Sequence, residues 1–139
     1  LVLPGFRDAA SLAAVRTRAA ELVAAFEPPP RASVFDGADA RRTVDAWFLG
    51  SGDTVRCFLE PEALDAQGRL AVPKGRAINK IGHALHDLDP VFERFSHGDD
   101  LAALAAGIGL ADPQVWQSML IFKPPAIGGE VRWHQDATY

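Results

Sequence analysis

Residues 115–136 constrain this chain more than any other stretch. "VWQSMLIFK" (115–123) alternates strictly: Val115, Gln117, Met119, Ile121 and Lys123 share one face, and Trp116, Ser118, Leu120 and Phe122 share the other. Pro124-Pro125 ends the segment and Gly128-Gly129 makes a tight turn. "EVRWHQD" (130–136) then predicts a second strand, with Arg132, His134 and Asp136 on one side and Val131, Trp133 and Gln135 on the other. Trp116, Phe122, Val131 and Trp133 are the expected buried positions of this pair.

The preceding chain adds helices. "LVLPGF" (1–6) reads as a short apolar strand closed by Pro4-Gly5. Asp8 or Ser11 caps a helix carrying Leu12, Val15, Leu22, Val23 and Phe26 at helical spacing, and Pro28-Pro29-Pro30 stops it. Residues 31–46 show no period and read as a loop with a helical turn at 38–43. "WFLGSGDTVRCFLE" (47–60) predicts a hairpin around Gly50–Asp53, and Gln67-Gly68 a surface turn. "AINKIGHALHDLDPVFERF" (77–95) begins extended and becomes helical after Asp89-Pro90. A further helix lies within 98–113, capped by Asp99 or Asp100 and ended by Gly107 or Gly109. The expected class is α+β, in one domain without repeats or linkers.

Composition removes several function classes. A net charge of −4 offers no basic face, so nucleic acid is not an expected partner. No run of about 18 apolar residues is present, so no membrane-spanning helix is expected. The single cysteine, Cys57, cannot form an internal disulfide and reads as a buried small hydrophobe in a reducing, cytoplasmic setting. The chain opens on Leu1-Val2-Leu3 and stops three residues after Asp136, so both ends read as cut and the chain is expected to be a fragment of a longer protein.

"HQD" carries the chemistry. On a strand, residues i and i+2 project to one face, roughly 6–7 Å apart. An imidazole and a carboxylate so placed can grip one ion from one side. Two histidines and a carboxylate on one face of iron(II) leave open positions for a cosubstrate and O₂. A tripeptide alone is weak support, since two polar side chains on a surface strand give the same pattern.

The segment "QSMLIFKPPAIGGEVRWHQDATY", with "GSGDTVRCFLE", "INKIGHALHDLDPVF" and "LVLPGF" in the same order, resembles the phytanoyl-CoA dioxygenase family over essentially the whole chain. The resemblance implies an Fe(II)- and 2-oxoglutarate-dependent oxygenase with a double-stranded β-helix (jelly-roll, cupin-like) core and flanking helices. It implies that His134 and Asp136 are the first two iron ligands. It also implies that Lys80 in "INKIG" contacts 2-oxoglutarate and that Met119 in "QSM" lines the cosubstrate site. The family's distal iron histidine, and the arginine that pairs with the far carboxylate of 2-oxoglutarate, lie downstream of His-x-Asp. Residues 1–139 are therefore expected to be a partial domain without the C-terminal barrel strands. Taken alone, such a piece is expected to bind metal weakly, to turn nothing over, and to expose sheet edges that invite self-association. The implied activity is hydroxylation of a small organic substrate. The family name suggests acyl-CoA or another lipid-like acid, although the acidic balance offers no CoA-binding patch.

Other readings compete. His83 and His86, three apart, could bind a metal with Asp87 or Asp89 on a helix face. The preferred reading gives both of them hydrogen-bonding roles at the strand-to-helix transition. Lys80 reads either as an ordinary solvated lysine or, placed between Ile78 and Ile81, as a sheltered stem able to pair with a carboxylate. Met119 has an ordinary core role as its alternative. Arg132 is expected to pair with Glu130 or an acid across the strand. A non-catalytic binding or structural domain with a vestigial half metal site is the alternative to the oxygenase.

Overall fold

Asp8 starts the first helix, α1 (Ala9–Ala25), as an extended N-cap. Its carboxylate accepts the Ser11 N–H at 2.8 Å and the Ser11 hydroxyl at 2.9 Å. Phe26 is already extended, as C-cap of a helix that Pro28, with no N–H to donate, could not continue. Lys74 covers the open end, its Nζ donating to the carbonyls of Ala24 at 2.7 Å and Phe26 at 2.8 Å. Val15, Ala19 and Val23, four residues apart, form the buried stripe. Leu22 and Phe26 flank it, and Leu12 is exposed.

The structure, a computed structural model, describes residues 2–29, 33–34, 45–129, 133 and 135. After α1 come α2 (Ala46–Leu49), β1 (Val55–Leu59), a 3₁₀ turn (Pro61–Ala63), α3 (Lys74–Ala77) and β2 (Ile78–His83). Then follow α4 (Leu85–Leu88), α5 (Pro90–Ser96), α6 (Asp99–Gly107) and β3 (Ser118–Ile121). The strands form an open antiparallel sheet in the order β1-β2-β3.

Register divides the sheet into two faces. Cys57 lies opposite Ile81 and Ile81 opposite Leu120. These residues join Val15, Val23, Leu85 and Phe92 in the main apolar cluster under the helices. Each fully buried Ile, Leu or Phe there contributes about 1.5–3 kcal/mol. One residue out of phase, Phe58 lies opposite Lys80, Lys80 opposite Ile121, and Gly82 opposite Met119. That second row looks away from the cluster. Asp89 joins the helical layer by capping α5 through the N–H groups of Val91 (3.0 Å) and Phe92 (3.3 Å) and accepting from Arg18 Nε of α1 at 2.6 Å. Among the described residues, no helix is long and apolar enough to cross a membrane.

Several expectations are corrected. Pro4-Gly5 does turn, with Gly5 at φ +69°, but Val2 and Leu3 are not strand and pair with no strand among the described residues. Residues 47–49 are not a hairpin arm. Asp45 accepts the Phe48 N–H at 2.8 Å and Gly50 closes the turn, which makes them helical, and β1 pairs with β2 instead. A helical turn, α4, intervenes before Asp89-Pro90. Gly98, not Asp99 or Asp100, occupies the N-cap of α6, while the helix ends at Gly107 as one of the two expected stops, with Ile108 as C-cap. The strand expected over 115–123 is ladder-bonded only at Ser118–Ile121, although its alternation holds: Ser118 and Leu120 turn inward, Met119 and Ile121 outward. Trp116 is 92% exposed and Trp133 also lies in the open, so neither is core, while Phe122 packs against the cluster as expected. The helical turn at 38–43 lies outside the described residues, as does the strand expected over 130–136, of which only Trp133 and Gln135 are described.

Candidate functional site

The second face of the sheet gathers the site. Lys80 projects from the middle of β2 and is 4% exposed. Its Nζ lies 3.7 Å from Met119 Sδ, a proximity set by the β2–β3 register. Gly82, directly opposite Met119, makes room for it: a methyl on Gly82 would stand 3.2 Å from Met119 Cγ. Two of the four expected site residues, Lys80 and Met119, are thus brought together. The other two, His134 and Asp136, lie outside the described residues, as does Arg132.

Aromatic rings enclose the amine. Lys80 Nζ lies 5.2 Å from the centre of the Phe48 ring and 5.4 Å from that of Phe58. The two rings meet edge to face at 5.8 Å, and each lies 5.4 Å from the His83 imidazole. Phe58 reaches this place as the cross-strand partner of Lys80; Phe48 arrives from α2. Burial pushes the Lys80 pKa down to about 8. Burial, and then the Lys80 charge, push His83 down to about 4, so its ring is neutral at pH 7.

The histidines are engaged by serines. His83 Nδ1 lies 2.7 Å from Ser51 Oγ, and His86 Nδ1 lies 2.8 Å from Ser118 Oγ, which also accepts the His86 backbone N–H at 3.0 Å. This agrees with hydrogen-bonding roles at the strand-to-helix transition. Among the described residues, no group of three or more His, Cys, Asp or Glu side chains could hold a metal ion. Cys57 is buried, and burial pushes its thiol up to about 11.

Phe48, Ser51 and Phe58 are additions to the expected site. Phe48 carries a sequence signal: Asp45 followed three residues later by Phe48, then Gly50, is a cap-and-stop pattern for one helical turn. Phe58 is visible only as the residue out of phase with Cys57 and Leu59.

Comparison of the sequence with known proteins points to a family. A family model described as Phytanoyl-CoA dioxygenase (PhyH) matches residues 1–139. The chain is 43% identical over 144 residues to phytanoyl-CoA dioxygenase domain-containing protein 1 of Bos taurus, covering 100% of this chain and 50% of the relative. It is 40% identical over 139 residues to the Dictyostelium discoideum homolog of that protein, again covering 100% of this chain and 49% of the relative. It is 43% identical over 139 residues to phytanoyl-CoA dioxygenase 1 of Oryza sativa subsp. japonica, with the same coverage of 100% and 49%. The chain spans about half the length of the curated relatives it matches. A match along every residue, with identity near two in five, means that the chain belongs to the phytanoyl-CoA dioxygenase family.

Proposed function

We propose that this chain forms the first part of the active site of an Fe(II)- and 2-oxoglutarate-dependent dioxygenase acting on a small organic substrate. The observation that carries the reading is the Lys80 amine, buried between Phe48 and Phe58 and against Met119 on the sheet face opposite the apolar cluster. A buried ammonium in a low-dielectric wall is a strong site for a carboxylate, because water competes poorly there. Below about pH 8 the amine carries its proton and can donate to one carboxylate of 2-oxoglutarate. Phe48 and Phe58 keep water from the stem. The Met119 thioether gives a soft wall that orients the carbon chain without competing for the charge.

His134 and Asp136 would hold the iron, two residues apart and so on a common face of an extended segment. Iron(II), when bound, supplies the activation of O₂ that oxidises a substrate C–H bond as 2-oxoglutarate loses CO₂. Nitrogen and carboxylate oxygen suit that ion, and the Lys80 site suits the anionic end of a 2-oxo acid. The open sheet, apolar on one side and site-bearing on the other, fits the opening strands of a double-stranded β-helix. The substrate class we favour is a small organic acid or acyl-CoA.

The test uses the full-length protein containing this chain. Succinate formation from 2-oxoglutarate is measured with Fe(II), for the parent and for His134→Ala and Lys80→Met. Loss of Fe(II)-dependent succinate in His134→Ala, and a raised 2-oxoglutarate requirement in Lys80→Met, are expected. No succinate from the parent under any substrate, with metal still bound, would instead favour a binding domain that keeps a vestigial half-site.

A further inference from the structure

His83 closes β2 and is 4% exposed, yet it stands apart from the main apolar cluster. Its Nδ1 shares a hydrogen bond with Ser51 Oγ at 2.7 Å, and the Ser51 hydroxyl donates to the Phe48 carbonyl. A serine has one hydroxyl proton to give. With that proton committed to Phe48, the bond to His83 requires the imidazole to donate, so the proton sits on Nδ1. The neutral ring then has a bare Nε2, and that nitrogen is buried with no hydrogen-bond partner among the described residues. Nε2 would be stranded in either tautomer, as an acceptor or as a donor, so it is the Nδ1–H bond to Ser51 that decides the state.

The relay ends on the backbone of Phe48, the residue whose ring covers the Lys80 amine at 5.2 Å and meets the His83 ring edge-on at 5.4 Å. α2 is a single turn, and a helix that short has little stability of its own. Asp45 holds its start through the Phe48 N–H; Ser51 holds the Phe48 carbonyl on the far side. We propose that Ser51 and His83 are positioning residues for the Lys80 site: their hydrogen-bond relay pins α2 so that the Phe48 ring stays over the amine. This rests on the reading above that Lys80 receives the anionic end of 2-oxoglutarate.

Two measurements on the full-length protein test it. In the metal-free protein, histidine ¹⁵N chemical shifts should report His83 protonated at Nδ1, and Ser51→Ala should release that preference. With Mn(II) bound, calorimetric affinity for 2-oxoglutarate should fall about fivefold in Ser51→Ala, the loss of one net hydrogen bond. Phe48→Leu should weaken binding similarly, and the double variant should bind no more weakly than either single one, because both changes act through one ring. If Ser51→Ala does not fold, Ser51→Cys keeps the shape, weakens the donor, and carries the same expectations. An Nε2–H tautomer in the parent overturns the proposal. So does wild-type affinity in Ser51→Ala, or additive losses in the double variant. Lys80→Met separates the two ideas. If it binds 2-oxoglutarate like the parent, the cosubstrate reading falls and the relay is judged by the tautomer alone.

Discussion

Replacing Lys80 with methionine should make the protein more stable while weakening the 2-oxoglutarate binding proposed above. Burial holds the folded-state pKa at about 8, against an ordinary value of 10.5. At about 1.36 kcal/mol per pH unit, carrying the charged amine into the folded state costs about 3 kcal/mol. The Phe48 and Phe58 rings offset about 1 kcal/mol of that as cation–π contacts, and methionine, with an unbranched stem and no charge, avoids the desolvation cost. The sign with pH follows from proton counting. Between about 8 and 10.5 the unfolded chain binds more protons than the folded one, so parent stability rises with pH. The whole penalty is present below about 8 and is gone above 10.5. Urea unfolding of parent and Lys80→Met at pH 7, 8.5 and 10 should show the variant ahead by about 2 kcal/mol at pH 7, with the gap closing as pH rises. A variant less stable than the parent at pH 7, or a gap that stays constant to pH 10, would refute the reasoning. Such a trade, stability given up for a charged group in a binding site, is common where a site needs a buried charge.

Asp89→Ala should destabilise by about 2–3 kcal/mol, since it removes both the α5 cap and the acceptor for Arg18. Burial alone would raise this carboxyl, but the Arg18 guanidinium and the N–H groups of Phe92 and Val91 outweigh it and hold the pKa below 3.8. The stabilisation is therefore present above pH 3.8 and lost as pH falls through the lowered value, which acid titration of parent and variant would show. Gly82→Ala should push the Met119 side chain aside and weaken 2-oxoglutarate binding several-fold while changing the unfolding free energy by less than about 1 kcal/mol; equal losses in both would mean general repacking instead. Native Cys57 should resist iodoacetamide at pH 8 and react once urea unfolds the chain, given a thiol pushed up to about 11; rapid native labelling would contradict the buried placement.

Local chemistry makes much of the chain legible in its sequence. Asp8 capping α1, Asp89-Pro90 opening α5, the turn at Gln67-Gly68 and the alternation of Ser118–Ile121 are decided by side chains within a few residues of each other. The same reasoning misreads residues 47–49, because a Gly-rich turn after an aromatic run fits either a hairpin or a one-turn helix. The Asp45 cap and the absence of a ladder partner decide for the helix. Trp116 misleads for a different reason: large apolar residues read as core wherever they fall on a strand, but burial needs a neighbour to supply the cover.

By itself, the sequence determined the Asp8 and Asp89 helix starts, which faces of the Ser118–Ile121 strand differ, and the family to which the chain belongs. Those follow from short-range periodicity, capping and motif order. Only the tertiary structure decided that β1 pairs with β2, that Gly82 opposite Met119 gives the thioether its path to the amine, and that Phe48, Ser51 and His83 gather around Lys80. These contacts join residues far apart in the chain, and their energies come from burial and cross-strand register, which no local pattern encodes.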